Sequence, residues 1–123
     1  MRVLRVLLLG SDLPEQVEAC RGVPASRRPP EPARGRAALF DGIFLTHAHM
    51  GHYTGLLHLR REVYGSRNVP LYVSQRMRDF LVANEPWASL IRDGALAPHV
   101  LEPDQPLELA PDLTVTPVLV PHR

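Results

Sequence analysis

The chain has 123 residues, 45% of them hydrophobic and 22% charged, which suits one globular domain with its own core rather than a disordered chain. A formal net charge of +1 gives no electrostatic ground for a nucleic-acid or anionic-membrane partner. A single cysteine, Cys20, excludes an internal disulfide and fits a reducing compartment, so a cytoplasmic location is expected.

Val3 to Leu9 is a run of valine and leucine that predicts a strand buried on both faces. The apolar start, Met1 to Leu9, is broken by Arg5 and is too short to span a bilayer or to make a convincing signal peptide. Gly10 to Gln16 predicts a turn into a short helix, with Ser11 or Asp12 as its cap and Pro14 in its first turn. Residues 21–37 are proline, arginine and alanine without an apolar period, and predict a flexible, solvated loop. All the basic residues are arginine and none is lysine, which points to coding bias more than to a binding surface.

Leu39 to Leu45 predicts a second strand. Leu56, Leu59 and Val63, flanked by Leu57 and Tyr64, predict a helix stopped at Gly65, with His58 beside its apolar face as a structural histidine. Val69 to Val73 predicts a third strand. Ser74 then caps a helix that carries Met77, Phe80 and Leu81 on one face. Pro86-Trp87 opens another short helix through Leu90 and Ile91, ended by Gly94, with Trp87 a core residue before it is a pocket wall. From Leu96 the pattern changes. His99 to Leu101, Pro106 to Leu109 and Leu113 to Val120 predict strands of a meander, and His99 is given no role.

The chemistry is concentrated between the second strand and the helix after it, in Thr46-His47-Ala48-His49-Met50-Gly51-His52. Two imidazoles one residue apart on an extended segment face the same side, because side chains alternate with period 2. His47 and His49 can therefore address one metal ion, and neutral imidazole suits zinc, iron, copper and nickel. The competing interpretation is a polar, histidine-rich loop.

The stretch "IFLTHAHMGHYTGLLHL" resembles the metal-binding signature of the metallo-β-lactamase superfamily, a strand followed by H-x-H-x-D-H and a helix. The likeness runs through His47, His49 and His52 and departs at Gly51, where the family carries aspartate. The wording after that glycine is more like the PqqB-like branch than like the β-lactamases. What the resemblance implies is an α/β (α+β) fold, a partial αββα sandwich with a mixed sheet and flanking helices. The chain, 1–123, is expected to be a single partial domain of that kind, with further strands before Met1 and after Arg123.

The resemblance also implies a site. His47, His49 and His122, the last at the end of the strand Leu113 to Val120, are expected to hold one zinc ion, with iron as the other candidate. An unrelated terminal histidine is the alternative for His122. His52 belongs to a second metal position that Gly51 deprives of its carboxylate, so one ion is expected rather than two. Gly51 could instead sharpen the turn or leave room for substrate. Asp12 stands near the place where the family has a bracing aspartate, with a helix cap as the simpler role. Three histidines and water describe a catalytic zinc site, since one coordination position stays open. The expected activity is hydrolysis, with metal-bound hydroxide attacking an ester, thioester, amide or phosphodiester of a small-molecule substrate. The alternative is a catalytically inactive metal-binding or partner-binding fragment. An open sheet edge makes a homo-oligomer a further expectation.

Overall fold

A computed structural model of the chain describes residues 6–8, 13–21 and 41–121. Asp12, His122 and, beyond Arg21, the expected 21–37 loop lie outside the described residues. Four strands, β1 (Val6–Leu8), β2 (Gly42–Leu45), β3 (Val69–Ser74) and β4 (Leu96–Leu101), form one sheet in the order β1-β2-β3-β4. Every pair is parallel. Parallel neighbours need long crossovers. Here these carry α1 (Leu13–Arg21) between β1 and β2, two 3-10 turns (Met50–His52 and Thr54–Leu59) between β2 and β3, and α2 (Gln75–Ala83) and α3 (Trp87–Arg92) between β3 and β4. Beyond the sheet, β5 (Leu107–Ala110) and β6 (Leu113–Val115) make an antiparallel pair of their own.

Strands that follow one another in space in chain order, with crossovers of one hand, carry their connecting helices on one face. The burial pattern agrees. Ile43, Leu45, Val69, Leu71 and Val73 are 0–3% exposed and form the core with Leu13, Leu56, Leu59, Leu81 and Leu90. On the other face the register lines up Phe44, Tyr72 and His99 across three strands. Phe44 stacks on Tyr72 with ring centroids 4.7 Å apart, and Tyr72 lies 5.4 Å from His99. An apolar hollow of about 470 Å³ runs from Phe44 to Leu101 and Val115 on this side.

The local signals for α2 and α3 hold. The Ser74 hydroxyl accepts from the Met77 amide at 3.2 Å and starts α2, and Gly94, at φ 77°, follows α3 and takes the backbone into β4. Trp87 packs against the core, its ring 4.9 Å from that of Tyr53. Among the described residues no helix is long and apolar enough to cross a membrane.

Three expectations are corrected. Residues 54–59 form a 3-10 helix followed by turns, not an α-helix reaching Val63, which is 49% exposed. The large buried side chains there, Tyr53, Leu56 and Leu59, recur every three positions, the period of a 3-10 helix. The strand expected from Leu113 to Val120 stops at Val115, and Pro117 and Pro121 beyond it have no N–H for a ladder. His99 to Leu101 belongs not to a meander but to β4, paired parallel with β3. The α/β class stands, with parallel and antiparallel pairing divided between two sheets rather than mixed in one.

Candidate metal centre

β2 is a short apolar strand whose backbone is consumed on both sides by β1 and β3, and the ladder with β3 ends at Leu45. Thr46 to His49 then continue without regular structure, with His49 still extended at φ −76° and ψ 135°. Extension keeps His47 and His49 on one side. The 3-10 turn that follows, closed by the His52 amide donating to the His49 carbonyl at 2.8 Å, folds the third imidazole back toward them.

His47 Nε2 and His49 Nδ1 are 3.1 Å apart, and the two rings meet edge to face at a centroid distance of 4.6 Å. The His52 ring lies 4.4 Å from that of His47. The other ring nitrogen of His47, Nδ1, is 2.8 Å from the Thr46 hydroxyl. In the tautomer whose Nδ1–H donates to Thr46 Oγ1, the lone pair of His47 sits on Nε2 and points at His49. A proton carried by His49 Nδ1 then bridges the two rings. Two nitrogens bound to one tetrahedral zinc at ~2.0–2.1 Å stand roughly 3.3 Å apart, close to the spacing of this pair.

The remaining histidines are elsewhere. His58 Nδ1 donates to the Gly55 carbonyl at 3.2 Å within its own 3-10 turn, the structural role expected of it. His99 is exposed on β4 beside Tyr72. Gly51 is exposed, and a Cβ there would meet nothing within 4 Å, so the position where the superfamily carries a carboxylate opens onto empty space. Among the described residues no group of three or more His, Cys, Asp and Glu side chains is gathered as a metal-holding set. The described loop therefore supplies a matched pair of nitrogens with a third imidazole alongside.

The loop opens onto a hollow of about 430 Å³ whose other wall comes from the end of β3 and the first turns of α2: Ser74, Arg76, Met77 and Phe80. Sequence inspection singled out none of these as site residues. The available signal was topological. Parallel strands end on the same side, and in open α/β sheets ligands bind outside those carboxyl ends, so the residues following β3 face those following β2.

Residues 15–123 match the beta-lactamase superfamily domain. The chain belongs to that superfamily. No curated protein and no solved structure matches it. Membership makes this a hydrolase-like member of the superfamily, and the match covers both the histidine loop and the α2 wall that faces it.

Proposed function

We propose that this beta-lactamase superfamily protein is a metal-dependent hydrolase with one metal ion per site, acting on an ester, thioester, amide or phosphodiester bond of a small molecule. The observation that carries the proposal is the His47 Nε2–His49 Nδ1 pair, held 3.1 Å apart with the outer nitrogen of His47 tied to Thr46. His47 and His49 are the first two ligands. His122, outside the described residues, is proposed as the third ligand from its place in the sequence, and His52, its ring 4.4 Å from that of His47, is an outer imidazole. A divalent cation bound there lowers the pKa of a coordinated water to about 7 and polarises a carbonyl or phosphoryl oxygen. Zinc fits the donor set best, and iron is the alternative. The chain's own part is to orient two imidazoles, to hold the His47 ring through Thr46, and to bound the substrate with α2. Gly51 offers no donor atom, which is why one ion is proposed and not two.

That same glycine favours a second reading, a metal-binding domain without turnover, since a carboxylate at this position would also serve as a general base. Metal analysis of natively purified protein beside its His49→Ala variant tests the first claim. About one ion per chain in the wild type, and none in the variant, is the expected result. Folded wild-type protein without metal, or a variant that keeps it, overturns the site. A panel of chromogenic esters and phosphodiesters then separates the readings: turnover lost in His49→Ala supports the hydrolase, and a metal-loaded protein inert on the whole panel supports the second.

A further inference from the structure

We infer that Arg76 makes the hollow beside the histidine pair selective for substrates that carry a negative charge next to an apolar group; the inference rests on the histidine loop being the reaction site. Among the described residues that line this hollow, Arg76 is the one fixed charge and no aspartate or glutamate is present. Arg76 is exposed and has no ion-pair or hydrogen-bond partner among the described residues. The nearest acid on its helix is already engaged: Asp79 accepts from Gln75 at 2.7 Å and pairs with Arg78 at 3.4 Å.

The backbone of Arg76 is well placed for this role. Ser74 caps the helix through Met77, so the first turn of α2 is fixed at the end of β3 and Arg76 stands where that turn faces His47 and His49. A guanidinium is planar, permanently charged and presents paired N–H donors to a carboxylate or phosphate. Beside it the wall is apolar. Met77 is 4% exposed, and the half-buried Phe80 is held edge-on against Tyr53 at 5.4 Å. A ligand in this hollow meets apolar side chains, a cation and the imidazole rings. An uncharged substrate leaves the cation unused; a second cation is repelled.

The test uses three small probes of similar shape, phenyl phosphate and benzoate as anions and benzamide as the neutral analogue. Binding to the full chain is followed by NMR shift perturbation, in chelator-treated and in zinc-loaded samples, for the wild type, Arg76→Gln and His49→Ala. Expected is about tenfold tighter binding of the anions than of benzamide in chelator-treated wild type, a difference of ~1.4 kcal/mol, with shifts centred on Met77 and Phe80. Arg76→Gln should lose that preference while keeping its metal content and melting temperature. Equal anion binding by the wild type and Arg76→Gln overturns the inference. So does benzamide binding as tightly as the anions. Anion binding that needs zinc and ignores Arg76 makes the metal the receptor: the inference falls and the proposed site stands. An Arg76-dependent preference in a protein that never holds metal does the reverse.

Discussion

The two faces of the four-stranded sheet are built from the same apolar runs and end up in different conditions. One face, with Ile43, Leu45, Leu71 and Val73, is closed by the helices and is almost completely dry. The other carries the Phe44–Tyr72–His99 row, with the first two half-buried and His99 exposed, and an open hollow bounded by residues of the C-terminal segment. The difference follows from connectivity. Sequential parallel strands place their crossovers on one side, so the core forms there whatever the composition of the other side. The candidate site avoids both faces and uses the ends of β2 and β3, where the ladder stops but the closed face still anchors the strands.

The largest effect is expected on adjacent residues of one strand. Leu71, fully buried, should cost ~2–5 kcal/mol on truncation to alanine, from lost transfer energy and an unfilled cavity. Tyr72 points the other way and is half-buried. Its replacement by alanine should cost clearly less, about 1–2 kcal/mol, largely the stacking on Phe44 and partial burial. Urea unfolding of both variants measures the gap. If Tyr72→Ala proves as damaging as Leu71→Ala, the open face is a second core and the contrast between faces collapses.

Gly42 offers an intermediate test, because it sits under the open-face row. A Cβ there would fall 2.7 Å from Tyr72 Cε2, and the ring it meets is already stacked on Phe44. Gly42→Ala should therefore destabilise by ~1–2 kcal/mol through overpacking. In a Tyr72→Ala background the same change should be neutral, or slightly favourable, as an ordinary glycine-to-alanine change in a strand is. Additive effects in the double variant would show that the ring yields freely and that the row is loosely held.

Much of this arrangement was legible in the sequence, for physical reasons that can be named. Val69 to Val73 alternates a dry face with a half-buried one, and Ser74 and Gly94 announce a cap and a stop that backbone geometry then uses. The histidine spacing told which imidazoles share a side because extension imposes period 2. The 3-10 segment was missed because Tyr53, Leu56 and Leu59 satisfy an i, i+3 relation that α- and 3-10 helices share over so short a stretch. β4 looked like part of a meander because prolines and aspartates break the chain beyond Leu96 into short extended runs, a pattern that does not tell a parallel edge strand from a hairpin strand. Arg76 carried no local mark at all. Its place opposite His47 arises from the parallel pairing of β2 with β3, a relation between distant segments that no short pattern encodes.

The smallest effect is expected on the outer surface of the helical layer, where the covered face meets water. Glu85 accepts from the Arg92 guanidinium at 2.9 Å and from the Ser89 amide at 3.1 Å, so it caps α3 from outside. The Arg92 hydrogen bond, with help from the Ser89 amide, holds the carboxyl below the ordinary glutamate range. A group whose pKa is lowered by folding adds stability above its unfolded value and loses it as pH falls through the folded value. Glu85→Gln should thus be slightly less stable than the wild type near neutral pH, with melting curves that converge on acidification and coincide once Glu85 is protonated in the folded chain. Both partners are exposed, so solvent screening keeps the difference far below that of Leu71→Ala. A gap that persists at acid pH would mean that glutamine disturbs the packing of α3 itself, placing Glu85 with the covered face and not with its wet rim.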